Sequence, residues 1–455
     1  MATDSNHTFD VIVLGLGPGG EHVAGSLAER GLRVLGVDRR LVGGECPYWG
    51  CIPSKMMIRA ADALAEARRV DGLAGSVGEV TPDWSVVATR IREEATDGWD
   101  DKVAVDRLTG KGATFVRGTG RIAGPGRVDV DGTAYTATRG IVVNTGTTAA
   151  VPPVEGLHDT PYWTNHEIIE TTELPASLIG LGGGAIGCEL SQVMARFGVD
   201  VTIVEAADRI LALEEPEASA ALQQALEADG ITVRHGLGAD KVTHDGSAFT
   251  VTLADGSTLT AEKLLVATGR RADPAAVGLD TVGVAKDART APVDDRCHVT
   301  DGVWAVGDIT GKGAFTHVSM YQAGVVIRDV LGDDGPPAEY AALPRVTFTD
   351  PEVGAVGMTE AQAREQLTNV QVGLTPLGET TRGWIARADG LIKVVADADR
   401  GVLVGATTMG PAGGEVLGAL AVAVHGEVPI DRLRSMIYAY PTLHRGIEDA
   451  LGRLA

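Results

Sequence analysis

Aromatic side chains make up only 4% of this 455-residue chain and cysteine occurs just four times, against sixty glycines. So few cysteines in so long a chain exclude a disulfide-stapled scaffold. In a reducing compartment a close pair among them reads as catalytic or metal-binding rather than structural. Basic residues are also short: 39 Lys and Arg against 61 Asp and Glu give a net charge of -22. Such a balance repels phosphate backbones and anionic head groups, which argues against nucleic acid or a membrane as partner. No apolar run is long enough to span a bilayer, and the polar stretch Met1–Asp10 lacks the basic and apolar regions of a secretory leader, so a cytoplasmic location is expected. With 44% hydrophobic residues and glycine at short intervals, the composition predicts a globular α/β chain with many tight strand-to-helix turns. Its length suggests about three domains.

The glycines are placed, not scattered. An apolar strand over Phe9–Leu14 runs into Gly15, Gly17 and Gly20 in G-x-G-x-x-G spacing, a helical pattern covers Glu21–Arg30, and a second strand, Leu32–Val37, ends at Asp38, 23 residues beyond the first glycine. Such a βαβ unit lets backbone approach a pyrophosphate at a helix N-terminus while the acid holds ribose hydroxyls. The design recurs: strand Leu178–Leu181, then Gly182, Gly184 and Gly187, a helix over Cys188–Phe197, and strand Val201–Val204 ending at Glu205, again 23 residues on. Two such units predict two bound dinucleotides, FAD in the first and a nicotinamide dinucleotide in the second. Asn144-Thr145-Gly146 and Ala267-Thr268-Gly269 each end an apolar strand and close the two units, and Val303–Val306 leads into Gly307-Asp308, whose carboxylate suits a flavin ribityl chain.

Between the first strand pair and the rest lies Gly43-Gly44-Glu45-Cys46-Pro47-Tyr48-Trp49-Gly50-Cys51-Ile52-Pro53-Ser54-Lys55. Two of the four cysteines stand five residues apart in it, a spacing that suits a redox pair, and a dithiol beside a flavin implies electron transfer. Cys188, inside the second glycine turn, and Cys297, with only His298 beside it as a further ligand, read as structural, and no metal site is expected. His317 reads as a helix-start residue as readily as a flavin neighbour.

In these motifs the chain resembles the class I flavoprotein disulfide reductases, of the dihydrolipoamide dehydrogenase-like type. The resemblance rests on the first glycine motif, C-x-x-x-x-C followed by Ile52-Pro53-Ser54-Lys55, the second motif ending Gly187-Cys188-Glu189, Gly307-Asp308, and Tyr440-Pro441-Thr442. It implies two Rossmann-like domains and a C-terminal α+β dimerisation domain. The expected boundaries are 1–150 for the first part of the FAD domain, 151–270 for the NAD domain, 271–335 for the return to the FAD domain and 336–455 for dimerisation. It further implies a homodimer in which Cys51 faces the flavin and Cys46 attacks a small disulfide or thiol substrate, with Lys55 near the flavin and paired with Glu189. The expected cofactor contacts are Gly15, Gly17, Gly20, Asp38, Gly44, Lys55, Thr145, Gly146 and Asp308 for FAD, and Gly182, Gly184, Gly187, Glu189, Glu205 and Gly269 for the nicotinamide dinucleotide. Glu205 would repel the extra phosphate of NADPH, favouring NADH, although Arg209 stands close by.

Two departures qualify the chemistry. The family carries His-Pro-Thr and a Glu five residues after the His, an acid-base dyad; here those positions are Tyr440 and Arg445. A phenol with a pKa of about 10 is a poor base at neutral pH, whereas an imidazole near 6.5 both takes and gives a proton. On a helix Tyr440, His444 and Glu448 would share a face, so His444 oriented by Glu448 is one replacement and a surface histidine the other. Tyr48 and Trp49 replace smaller family residues, which suits either substrate contact or packing. Alternative activities are therefore a reductase of quinones, oxygen or metal ions with an ancillary disulfide, or a non-catalytic flavin-bound subunit. Metal reduction sits poorly with a C-terminus that carries no cysteine pair.

Overall fold

The computed structural model describes residues 7–455; residues 1–6 of the polar N-terminal stretch lie outside the described residues. The chain forms two compact units, one of residues 1–54, 88–150 and 270–339 and the other of 55–87, 151–269 and 340–455. Segment 55–87, expected with the FAD region, groups with the second unit.

In the first unit, strand β1 (Thr8–Leu14), helix α1 (Pro18–Glu29) and strand β2 (Val34–Asp38) form the expected unit. The strand order is His298–Thr300, Val303–Ala305, Thr133–Val143, β1, β2, Thr114–Arg117, and β1 pairs in parallel with both β2 and Thr133–Val143. Successive residues of β1 face opposite sides, yet both sides are buried: Ile12 and Leu14 pack in one core cluster, Val11 and Val13 in another. That is why β1 is continuously apolar from Val11 to Leu14 rather than alternating. Helix α1 begins at Pro18, three residues earlier than its periodicity suggests, because Pro18 supplies a φ already suited to a first helical position.

The second unit carries a four-stranded parallel sheet in the order Thr232–His235, Asp200–Glu205, Ser177–Leu181, Lys263–Val266. Beside it is a five-stranded antiparallel sheet, Pro344–Thr347, Glu352–Gly357, Val402–Gly410, Leu391–Asp397, Val370–Pro376, covered by helix Gly413–His425. Buried charge ties the antiparallel sheet and its loops to the helices that flank the parallel sheet. Lys393, 1% exposed, meets Glu215, Glu217 and Glu360 at 2.8–2.9 Å. Arg196, 3% exposed, meets Asp62, Asp229 and Asp350 at 2.7–2.9 Å. No helix among the described residues is long and apolar enough to cross a membrane.

Breaking such a cluster from one side leaves a buried charge unpaired, at a cost of about 3–5 kcal/mol. Lys393→Met should therefore lower the urea midpoint by that equivalent, because Glu215 stays buried beside it. The clusters also titrate. Burial pushes the Asp62 carboxyl up to about 6 despite Arg196, with Asp350 adding to the rise. Between pH about 4 and 6 the unfolded chain has lost this proton while the folded chain keeps it, so this group's contribution to stability falls by about 2–3 kcal/mol as pH rises through that window. Asp62→Asn should remove that fall: relative to wild type, the variant gains stability from pH 4 to 6 in urea titrations, and a flat difference would contradict the assignment.

Candidate active site

The two glycine motifs build the same cradle. Gly15 and Gly182 have φ of +88° and +108°, a region that L side chains rarely adopt, and a Cβ on Gly20 or Gly187 would lie 2.1 or 2.0 Å from the carbonyl oxygen of Gly15 or Gly182. The protein itself demands glycine at those four positions. The middle glycines differ. Gly17 and Gly184 have φ of -63° and -76°, and a Cβ would meet only Asn144 Oδ1 at 3.1 Å in the first case and nothing within 4 Å in the second. Neither backbone conformation requires glycine; at Gly184 the space that a side chain would fill is open for backbone to approach a pyrophosphate, whereas at Gly17 a Cβ would press on the pinned Asn144 carboxamide. Both acids clamp their turns alike. Asp38 accepts from Leu16 N and Arg40 N at 2.7 Å, and Glu205 from Gly183 N and Ala207 N at 2.6 and 2.7 Å. Each carboxylate is thus fixed at its strand end, where lone pairs can take ribose hydroxyls.

The first cradle has two features that the second lacks. Asn144 is buried, accepts from Gly20 N at 2.8 Å, and donates through Nδ2 to Val306 O at 2.9 Å and Ser319 Oγ at 3.2 Å. Asp308 accepts from Thr147 Oγ1 at 3.0 Å, and burial raises its pKa although that hydrogen bond and Arg270 oppose the rise. A second carboxylate for a polyol chain fits FAD. The sequence marks the Asn144-Thr145-Gly146 turn and reads Thr145 and Gly146 as cofactor contacts, but gives no role to the Asn144 side chain or to Thr147, just beyond the turn.

The redox segment belongs to the same unit. Gly44, with φ of +68°, caps a single helical turn, α2 (Glu45–Tyr48), and helix α3 (Cys51–Arg68) opens at Cys51. Both cysteines are thiols in this structure. Cys46 is half-buried and its pKa is raised, first by a hydrogen bond with Cys51 and then by burial, so Cys46 keeps its proton within the pair. Cys51 is exposed, with Sγ 3.4 Å from Thr316 Oγ1. The loop leading in is pinned: Val42 N donates to Asp101 Oδ2 at 2.6 Å, and the buried Tyr48 phenol donates to Val42 O at 3.2 Å. Tyr48 is thus a packing residue, and burial pushes its hydroxyl up to about 12.

Comparison with known proteins agrees with this geometry. Residues 9–323 match the family described as pyridine nucleotide-disulphide oxidoreductase, and residues 343–451 match that family's dimerisation domain. The chain belongs to this family. It is 32% identical to the dihydrolipoyl dehydrogenase of Chlorobaculum tepidum, over 97% of this chain and 96% of that one. It is 29% identical to a mercuric reductase of Bacillus cereus, over 98% of this chain and 72% of that one. Among solved structures, the HOCl-induced flavoprotein disulfide reductase RclA from Escherichia coli superposes with a TM-score of 0.85 at 26% identity, covering 97% of this chain and 99% of that one. The chain is accordingly an FAD- and pyridine nucleotide-dependent oxidoreductase with two dinucleotide-binding domains and a dimerisation domain.

In this oxidoreductase Lys55, one turn along α3 from Cys51, donates to Glu189 Oε2 at 2.8 Å, and the buried Glu189 takes Phe348 N on its other oxygen at 2.8 Å. Lys55 Nζ also lies 4.5 Å from the centre of the Phe348 ring. Cys188 is buried and donates to Gly183 O, and Cys297 is buried too; no group of three or more His, Cys, Asp or Glu among the described residues could hold a metal. His317 stacks on Phe315 at the start of helix Thr316–Leu331.

The face expected to join Tyr440, His444 and Glu448 does not form. The last helix begins only at Gly446, so Tyr440 and His444 lie in the turn before it. Pro441 keeps Tyr440 out of a helix, because the residue before a proline is pushed towards extended backbone. Glu448 pairs instead with Arg445 at 3.2 Å, and the Arg445 guanidinium lies 5.3 Å from the centre of the Tyr440 ring. Tyr440, 65% exposed, donates to Thr381 Oγ1 at 3.3 Å, while His444 packs its ring on Tyr438. Arg445 has taken the carboxylate that was to orient His444.

The Asn144 contacts generate a prediction. Asn144→Ala strands the buried Gly20 N–H and Val306 C=O, so the protein should lose about 2–4 kcal/mol in denaturant unfolding and release FAD more readily on dialysis. Unchanged stability and retention would contradict the role assigned to this carboxamide.

Proposed function

We propose that the protein is a homodimer that carries electrons from NADH to a Cys46–Cys51 disulfide and on to a small disulfide substrate. The observation that carries this reading is the hydrogen-bonded contact of the two thiols at the junction of α2 and α3, in the same unit as the cradle that fits FAD. FAD, when bound, supplies the two-electron exchange between nicotinamide and the cysteine pair. Two electrons and two protons convert the Cys46–Cys51 disulfide to two thiols. Cys46, deprotonated, attacks one sulfur of the substrate disulfide, forming a mixed disulfide and releasing the first product thiol. Cys51 then attacks Cys46 Sγ, the second product thiol leaves, and the intramolecular disulfide is restored. Overall, NADH, a proton and a disulfide give NAD and two thiols.

The preference for NADH rests on Glu205, whose carboxylate is held at the end of its strand by two backbone N–H groups. Arg209 does not offset it. Its Nη2 donates to Ala212 O at 2.8 Å and Glu214 O at 3.1 Å, which engages the guanidinium with its own loop rather than a ribose phosphate. The Tyr440–Arg445–Glu448 arrangement leaves no imidazole-carboxylate dyad in the C-terminal turn, which supports a substrate whose thiols need little help in protonation.

Steady-state kinetics with lipoamide and low-molecular-weight disulfides test this reading. Cys46→Ser and Cys51→Ser should each lower disulfide turnover at least about a hundredfold. NADH should exceed NADPH in kcat/KM by about tenfold or more, and Glu205→Ala should narrow that ratio. Disulfide turnover that survives in Cys46→Ser would reject the proposal, and quinone turnover alone in both proteins would favour the quinone alternative.

A further inference from the structure

One hydroxyl touches both sulfurs of the Cys46–Cys51 pair. Thr316 Oγ1 lies 3.4 Å from Cys51 Sγ and is also a hydrogen-bond partner of Cys46 Sγ. The Cys46 sulfur takes a further donor, the backbone N–H of Cys51 at the start of α3. A threonine hydroxyl carries one proton that turns about the C–O bond, so this one can be given to either sulfur in turn.

Thr316 is held there by the same contacts that build the first cradle. It opens helix Thr316–Leu331. One turn on, the buried Ser319 takes Asn144 Nδ2 at 3.2 Å, and a Cβ on Gly19 would come within 2.2 Å of its Oγ, so α1 lies hard against this helix. Two turns on, the buried Gln322 takes Gly307 N at 2.7 Å and donates to Thr310 Oγ1 at 3.1 Å. The branched Cβ of Thr316 leaves χ1 few choices, so backbone and side chain are fixed and the hydroxyl proton alone turns.

The chemistry of the pair asks for such a group. A thiolate is the attacking form of cysteine, yet Cys46 is hydrogen-bonded to Cys51 and half-buried, and both keep its proton on. The C-terminal turn holds no imidazole-carboxylate dyad, because Arg445 pairs with Glu448. Once the two thiols have given one proton to solvent, the pair holds one proton and one negative charge. With the charge on Cys51, Cys46 Sγ–H donates to it. For attack that proton crosses to Cys51 Sγ and the charge passes to Cys46 Sγ, with no change in oxidation state. A neutral donor that reaches both atoms stabilises the anion at either end of the crossing.

We propose that Thr316 is a catalytic residue whose hydroxyl donates to whichever of Cys46 and Cys51 is the thiolate, and so supports Cys46 as the attacking sulfur where no acid-base dyad is built. The inference rests on the reading of the two cysteines as the redox pair. When Cys46 forms the mixed disulfide, the proton on Cys51 passes to the departing thiolate, and Thr316 turns back to the Cys51 anion that closes the intramolecular disulfide. The second product thiolate takes its proton from solvent, which returns the one first released.

The test follows alkylation of the reduced holoenzyme by iodoacetamide as a function of pH, with each cysteine read by peptide mass. It is run in Cys51→Ser, which leaves Cys46 with Thr316, and in Cys46→Ser, which leaves Cys51 with it. Thr316→Val keeps the shape and loses the hydroxyl; it should raise the midpoint of the labelling profile by about one pH unit or more in both backgrounds. Thr316→Ser, which keeps the hydroxyl, should stay within about half a pH unit of the threonine protein. A merely structural threonine would be replaced better by valine than by serine. An unmoved midpoint with Thr316→Val in either background, or a rise with Thr316→Ser as large as with Thr316→Val, would overturn the proposal. Disulfide turnover that survives in Cys46→Ser sinks instead the reading on which the proposal rests, and it is seen with Thr316 intact.

Discussion

The first unit is assembled from three separate stretches of chain, and the carboxamide of Asn144 touches all of them. Its oxygen takes Gly20 N at the start of α1, and its nitrogen serves Val306 O and Ser319 Oγ in the returning segment. A buried amide has few ways to satisfy both ends at once, so this geometry specifies one arrangement of the glycine turn and the returning strand. The cradle, the Asp308 carboxylate and the redox segment are set around that arrangement. Thr147 lies three residues beyond Asn144, and Arg270, which donates to both Thr147 and Glu45, carries the same order to Cys46.

The two cradles show how a repeated solution is adapted. Both clamp the first turn with an acid 23 residues beyond the first glycine, and in neither does the backbone conformation of the middle glycine require glycine. What distinguishes them is the material added around the first: a second carboxylate and a pair of thiols. The residues that set the first cradle apart thus lie outside its glycine motif.

Much of this was legible in the sequence because it is local. Strands β1 and β2 and their twins announce themselves by apolar runs ending in glycine or acid. Helix starts were read late, since the first turn of each cradle helix is written in Pro and Gly rather than in apolar periodicity. What was not legible is long-range. Glu45 and Arg270 are 225 residues apart, and nothing in either neighbourhood points to the other. The Tyr440–His444–Glu448 spacing fails for the opposite reason: a four-residue interval places side chains together only where a helix exists, and the helix here begins at Gly446. Charge then completed the change, because Arg445 sits three residues from Glu448 and takes its carboxylate.

On the proposed reading the Cys46–Cys51 pair is the redox centre, while Tyr440 and Arg445 stand where the resemblance led us to expect an acid-base dyad. On that reading Cys46, which holds its proton within the pair, must lose it to attack a substrate, with Cys51 as its hydrogen-bond partner in that exchange. The central claim is that electrons from NADH reach these sulfurs. Anaerobic titration of the oxidised holoenzyme with NADH, with thiols counted at each step, tests it most directly. The account predicts uptake of four electrons per FAD, two of them appearing as two new thiols that are missing in Cys46→Ser. Uptake of two electrons with no new thiols would contradict it.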